Sequence, residues 1–537
     1  MSGVGKGVTT SSIAKILSGK GFAVSPIKID PYLNVDAGTM NPTEHGEVFV
    51  LDSGLECDQD MGNYERFLDV TLPPENYMTN GMVFKYVIDK ERALGYGGKC
   101  VEPVYHITEE ILRRIAASAR KMKPDISIIE IGGTIGEFQN AIFIEAARIL
   151  KLRNPDDVLF VMVSYLPVPG KIGEMKTKPT QTAIRTLNSY GVQPDIIIAR
   201  SEGSIDAKRK QKIADANGVR KENVISAPDV DSIYDVPVNF EKDGLGNLIL
   251  AHFGLKSRRE NLKDWRRMVG KMHSARKKVK IAMVGKYFKT GSFMLSDAYI
   301  SVIEAVKHAS WVLGATPTLE WINAEDYEKN PARVKDLLGY DGIVVPGGFG
   351  TRGVEGILKA IKFAREKKIP YLGLCYGMQL AVVEFARSVV GIHGAHTREA
   401  GSSVKDAVID ILPDQVSKLK EKNYGATMRL GGYPARLKLG TIARAAYGTD
   451  RTRERHRHRY EVNPAYIVRL EKKGLVFSGI SPDGRLMEIT ELPKSTHPFF
   501  LGTQFHPELT STPLHPHPLF TAFIRASLSR IPRVKKS

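Results

Sequence analysis

With 537 residues, 42% of them apolar and 25% charged, the chain is too long for one hydrophobic core and has the balance of a globular protein of two or three domains. No apolar run approaches the roughly 20 residues of a membrane-spanning helix. The N-terminus lacks the basic-then-apolar pattern of a secretory signal, and three cysteines (Cys57, Cys100, Cys375) are too few for a disulfide framework, so a cytoplasmic protein with no membrane partner is expected. The net charge of +18 admits polyanion binding, but it is local: residues 256–280 hold eleven Lys/Arg against Glu260 and Asp264. Five arginines alternate through Arg451–Arg459, and Arg533, Lys535 and Lys536 form a tail. Such runs serve solvated faces and nucleotide substrates as readily as nucleic acid, and no dedicated nucleic-acid partner is expected.

In chain order, Gly3-Val4-Gly5-Lys6-Gly7-Val8-Thr9-Thr10 reads as the end of a phosphate-binding loop. Small residues let backbone N–H groups approach phosphate oxygens, Lys6 supplies a point charge, and a helix over Thr9–Leu17 aims its positive end at the anion. The strand that should precede this loop is missing from the sequence as given, and a start at an internal methionine is expected. Short β-rich runs at Phe22–Ile29, Asp125–Ile131, Val158–Val163 and Asp195–Ala199 alternate with helical segments, which predicts a mostly parallel sheet covered on both faces. The basic stretch 256–278 reads as a helical linker. A second α/β unit then begins at Val279, with a helix near Asp297–His308, a strand at Gly342–Val345 and a helix near Gly356–Lys367. Two doubly wound, mostly parallel domains are therefore expected, 1–255 and 279–537.

Within the second half, Leu372-Gly373-Leu374 runs into Cys375, and a helical pattern follows at once. Strand, sharp turn and helix make a nucleophile elbow with sulfur as nucleophile, and a thiol at a helix start is biased toward thiolate. His506 and Glu508, two residues apart, would share a face of an extended segment, the carboxylate orienting the imidazole that takes the thiol proton. Gly347 and Gly348, after the strand Gly342–Val345, would shape an oxyanion hole.

Pro346-Gly347-Gly348, Gly373-Leu374-Cys375-Tyr376-Gly377-Met378-Gln379 and Gln504-Phe505-His506-Pro507-Glu508 resemble class I glutamine amidotransferases. Lys28-Ile29-Asp30-Pro31-Tyr32, His45-Gly46-Glu47-Val48-Phe49, Asp60-Met61-Gly62-Asn63-Tyr64, Glu130-Ile131-Gly132-Gly133-Thr134, Lys176-Thr177-Lys178-Pro179-Thr180-Gln181 and Glu454–Glu461 are similar to the CTP synthase family, in family order along nearly the whole chain. The resemblance implies an amidoligase joined to a glutaminase, with UTP, ATP and L-glutamine as substrates. It also implies GTP as activator, CTP as product inhibitor and a homotetramer.

Residue roles follow from the same likeness. ATP would meet Gly3, Val4, Gly5, Lys6, Gly7, Val8, Lys28 and Asp60, with Pro228, Asp229 and Val230 at the adenine. Asp60 and Glu130 are hard oxygen donors suited to Mg²⁺, and Glu130 closes an apolar run as a metal-binding acid at a parallel-strand end should. UTP or CTP would meet Ser2, Glu137, Phe138, Gln139, Lys176, Thr177, Lys178, Pro179, Thr180, Gln181 and Lys212. Two lysines, two threonines and an amide in six residues suit a triphosphate and a pyrimidine edge. Glutamine would meet Gly348, Tyr376, Gly377, Met378, Gln379, Glu399 and Arg459, the guanidinium gripping the α-carboxylate. Gln139 stands where the family often has an acid, Tyr376 replaces a common Leu, and His396–Ala400 departs from the family pattern around Glu399. An amidase acting on a corrinoid acid would share both domain types, but the Lys176–Gln181 segment argues against it; a catalytically silent scaffold would draw support only from the missing first strand.

Overall fold

The computed structural model describes residues 3–530 apart from 171–172, 287–288, 291–292, 295, 402, 413–414 and 416–424, and gives no side-chain account of 43, 289–290, 293–294 and 296. Ser2 and the basic tail Arg533–Lys536 lie outside the described residues. The chain forms two compact units, Met1–Asp36 with Asn63–Val269, and Ala37–Gly62 with Gly270–Ser537.

The first unit holds two three-stranded parallel sheets. One orders Tyr77–Thr79, Val24–Asp30 and Ile126–Ile131; the other orders Val161–Tyr165, Ile196–Ser201 and Val224–Pro228. The four expected strands are present but begin one to three residues later. Tyr77–Thr79 and Val224–Pro228 are additions, too short and too mixed to stand out by periodicity. The first helix runs Lys6–Gly19, three residues earlier than expected, because Gly5 at φ 85° supplies a left-handed turn that starts the helix at Lys6. Its side chains Ile13, Ile16 and Leu17 are buried, each worth about 1.5–3 kcal/mol of apolar burial, and Ile16 lies against Gly246 of the helix Leu245–His252.

The basic segment contains a packed helix. Helix Lys263–Ser274 buries Trp265 and Met268. Trp265 donates its indole N–H to the Tyr234 carbonyl at 2.9 Å and packs beside Phe67 and Tyr234.

The second unit is built on a nine-stranded sheet in the order Ala315–Asn323, Lys277–Gly285, Gly342–Val345, Tyr371–Leu374, Phe500–Thr503, Met487–Glu491, Val476–Ile480, Arg429–Leu437, Arg451–His458. The first five strands are parallel and the remainder antiparallel. Helices Val354–Glu366 and Tyr376–Phe385 bury one face, and Ile300–Val312 and Pro518–Leu528 bury the other. A small sheet of Ala395–Thr397, Asp406–Ile411 and Tyr460–Val462 lies apart. Among the described residues no helix is long and apolar enough to cross a membrane.

The alternating arginines form an edge strand. Arg451–His458 pairs with Arg429–Leu437, and its arginines engage the hairpin Val48–Val50/Glu56–Asp58. Arg453 pairs with Asp52 at 2.9 Å, Arg455 donates to the Val50 carbonyl at 3.1 Å, and Arg457 pairs with Glu56 at 2.8 Å. Much of the positive run is thus neutralised or bonded internally.

Candidate active sites

Cys375 sits where strand Tyr371–Leu374 meets helix Tyr376–Phe385, with φ 49° and ψ −96°. A non-glycine residue at such angles is strained, and the neighbours show why it persists. The Cys375 N–H donates to the Thr503 carbonyl at 2.6 Å. A Cβ on Gly373 would lie 2.7 Å from the Gly377 carbonyl carbon, and one on Gly377 would lie 2.3 Å from the Val345 oxygen. Both flanking glycines are therefore required by close backbone approach.

His506 follows the adjacent strand, its N–H held by the Arg455 carbonyl at 2.8 Å, and its Nδ1 meets Glu508 Oε1 at 2.7 Å. The pair meets as expected but for a different local reason: Pro507–Thr510 is a 3₁₀ turn capped by His506, not an extended segment. His506 Nε2 is buried with no hydrogen-bond partner at bonding distance. Burial alone would push the imidazole down; the Glu508 carboxylate and then the Cys375 sulfur outweigh it and raise it to about 10. The imidazole is therefore held as a cation beside the sulfur. A Cβ on Gly347 would lie 3.0 Å from His506 Cε1 and 3.9 Å from Cys375 Cβ, so Gly347 keeps the space over the sulfur clear.

Around this centre the expected glutamine contacts are partly gathered. The Tyr376 hydroxyl donates to the Gly350 carbonyl at 2.7 Å, and the Gly350 N–H donates to Glu399 at 2.6 Å. Burial raises the Glu399 carboxyl, against the Gly350 N–H and Lys286. Arg459 is buried and donates to Gln415 at 2.7 Å. The Gln379 side chain is buried beneath the helix start, bonded to the Tyr460 carbonyl and to Gln504. Lys286, which sequence reasoning passed over, bonds the same Gly350 carbonyl and stacks on Tyr376. Burial lowers its pKa to about 8, with Glu399 opposing.

In the first unit, Lys6 donates to the Gly133 carbonyl at 3.1 Å, which brings the phosphate loop against the segment after Glu130. Parallel register sets Lys28 directly beside Glu130, and the two pair at 2.8 Å while the Tyr64 hydroxyl donates to the other Glu130 oxygen at 2.5 Å. All three are buried. Asp60 belongs to the second unit's segment Ala37–Gly62 and opens the helix Asp60–Leu68, which continues into the first unit with Tyr64. Asp229 pairs with Arg200 at 2.8 Å, and the buried Arg200 Nε lies 3.9 Å from where a Cβ on Gly5 would stand. Arg200 was not foreseen, because nothing local marks an arginine at a strand end as facing a distant loop.

Lys178, Gln181 and Lys212 line one open cavity of about 860 Å³ together with Lys208, Gln211 and Lys221. Thr177 and Thr180 are buried, Thr180 bonded to Ser164 at 2.8 Å, and Lys176 is turned to Glu174. Pro179 is exposed. Glu137 caps toward the Thr134 N–H and Gln139, contacts that hold its carboxyl below the usual range, while Phe138 is 99% exposed.

The model of the CTP synthase N-terminus matches residues 1–255, and that of class I glutamine amidotransferases matches 294–526. A CTP synthase of Thermococcus gammatolerans is 49% identical over 532 residues, covering 99% of this chain and 97% of that relative. One of Halalkalibacterium halodurans is 44% identical over 531 residues, covering 99% and 98%. The chain belongs to the CTP synthase family. The activity that goes with membership, glutamine-dependent conversion of UTP to CTP, is that of a glutamine-hydrolysing ligase. Among solved structures, the glutaminase domain of Trypanosoma brucei CTPS with bound acivicin is 37% identical, with a TM-score of 0.43, covering 46% of this chain and 93% of that one.

Proposed function

We propose that Cys375, His506 and Glu508 hydrolyse glutamine and that Lys6, Lys28, Asp60 and Glu130 serve the ATP-dependent amination of UTP. The Cys375 thiolate attacks the glutamine side-chain carbonyl, His506 gives its proton to the departing ammonia, and water cleaves the resulting thioester to glutamate. Glu508 keeps the imidazole oriented and charged. Backbone N–H groups at the start of helix Tyr376–Phe385 and at Gly347–Gly348 would receive the developing oxyanion. Glutamine is held by Gly348, Tyr376, Gly377, Met378, Gln379, Glu399 and Arg459.

In the amidoligase half the UTP O4 attacks the ATP γ-phosphate and ADP leaves. Ammonia then adds at C4 and phosphate departs, which replaces a poor leaving group with a good one. Lys6 and Lys28 steady the transferring phosphoryl group by position and charge. Mg²⁺ usually takes one or two carboxylates and completes its shell with phosphates and water. That suits Glu130, whose two oxygens are already oriented by Lys28 and Tyr64, and Asp60. No group of three or more acidic, His or Cys ligands occurs among the described residues. When bound, the ion would offset charge on the phosphates. Pro228, Asp229 and Val230 would meet the adenine. The lysine-lined cavity would take the UTP or CTP triphosphate, with Glu137, Phe138 and Gln139 completing the product site.

Residues 1–255 act as synthetase and 279–537 as amidotransferase, joined through 256–278. Activation by GTP, inhibition by CTP, a homotetramer and a cytoplasmic location rest on the family likeness. The observation that carries the whole reading is the strained Cys375 elbow beside the His506–Glu508 pair, in a chain matched along 99% of its length by a CTP synthase. A UTP amination assay with glutamine or ammonium as nitrogen donor tests it. Cys375→Ala should abolish glutamine-dependent CTP formation and spare ammonia-dependent formation; loss of both would refute separate sites.

A further inference from the structure

We infer that Gln504 is a catalytic residue of glutamine hydrolysis, its side-chain amide donating an N–H to the Cys375 sulfur and favouring the thiolate, and that Gln379 is the positioning residue that sets which end of that amide faces the sulfur. The inference rests on Cys375 being the nucleophile.

Gln504 has no exposed surface, and its Nε2 lies 3.6 Å from Cys375 Sγ, within reach of an N–H donor to sulfur. The orientation of the amide follows from its neighbours. A backbone carbonyl can only accept, so the Gln379 amino group must face the Tyr460 oxygen, 3.0 Å away. The second hydrogen of that amino group reaches Gln504 Oε1 at 3.3 Å. With its oxygen so engaged, Gln504 turns its own amino group to the sulfur.

Other groups facing the sulfur make this donor useful. The Arg457 carbonyl stands 3.7 Å from Sγ; it accepts from a thiol but opposes a thiolate. His506 favours the thiolate when charged, with Glu508 behind it. The buried His456–His458 pair, with Arg429 3.4 Å from His456, acts electrostatically on His506 rather than on the sulfur directly. A neutral amide that does not titrate stabilises the anion without competing with His506 for its proton. It also ties the two parts of the site together, since Gln379 lies on the nucleophile's helix and Gln504 precedes His506.

The test uses the full-length protein with iodoacetamide as probe, following alkylation of Cys375 against pH by peptide mass spectrometry in wild type, Gln504→Met and Gln379→Met. Gln504→Met should move the midpoint for alkylation up by about one pH unit and lower the rate below that midpoint about tenfold. Gln379→Met should move it in the same direction by less. A merely structural role would lower kcat for glutamine hydrolysis without moving the midpoint. An unmoved midpoint in Gln504→Met, or in Gln379→Met where the first variant does not fold, overturns the inference. Retention of glutamine hydrolysis by Cys375→Ala would instead remove the reading beneath it.

Discussion

Arg457 and Glu56 stand 401 positions apart in sequence and 2.8 Å apart in space. The Glu56 side chain has no exposure and that of Arg457 has 14%, so the pair is largely dry. Removing one partner of such a pair strands the other charge, which costs about 3–5 kcal/mol. Arg457→Ala should therefore lower the melting temperature of the second unit by several degrees in calorimetry. Arg453→Ala, which breaks a half-exposed pair with Asp52, should cost under about 1 kcal/mol. Equal effects from the two would contradict the burial argument.

The raised His506 predicts a pH profile. A folded-state pKa of about 10 against an ordinary 6.5 means that the cation, and the stability it brings, is fully present below about 6.5 and lost as pH rises through about 10. Glutamine hydrolysis should therefore fall on its alkaline side near pH 10. Glu508→Gln removes the carboxylate that offsets burial, so the alkaline limb should move to lower pH and kcat should drop about 10²-fold or more. A limb left in place would show that Glu508 does not set the imidazole charge.

Gly377→Ala probes the elbow. Its new methyl group would meet the Val345 carbonyl at 2.3 Å, backbone that cannot swing away. Glutaminase activity should be lost by about 10²-fold or more, with about 1–3 kcal/mol of destabilisation. Near-normal glutamine turnover would mean that the strand and helix are not so tightly joined.

Lys6→Ala, Lys28→Ala and Glu130→Gln should each reduce CTP formation about 10²-fold or more with either nitrogen donor. Glutamine hydrolysis measured as glutamate release should persist in all three. Selective loss of the glutamine-dependent reaction would contradict a role in phosphoryl transfer.

How far the sequence could be read depended on whether a residue's role is local. Gly373-Leu374-Cys375-Tyr376-Gly377 encodes its own backbone path, so the elbow was legible. The His506–Glu508 contact was legible too, although a 3₁₀ turn and not a strand produces it. The start of the first helix was placed late because Thr9 and Thr10 look like caps while Gly5 does the turning. The alternating arginines of Arg451–Arg459 read only as a solvated or anion-binding run, because charge alone names neither a strand nor its partners; Asp52 and Glu56 are some 400 residues away. Arg200, Tyr64 and Gln504 escaped for the same reason: strand register and distant loops, not neighbours in sequence, decide what they touch.

The hairpin Val48–Val50/Glu56–Asp58 bears on how the molecule can be dissected. A fragment cut between the two family segments would keep the edge strand Arg451–His458 but lose Asp52, Glu56 and the Val50 carbonyl. Arg453 and Arg457 would then lose their ion pairs, and Arg455 the Val50 carbonyl, on the strand whose carbonyls hold His506 and face Cys375. Such an excised glutaminase should bind anionic resins along that bare, positively charged edge, whereas one supplied with the hairpin should bind them far less.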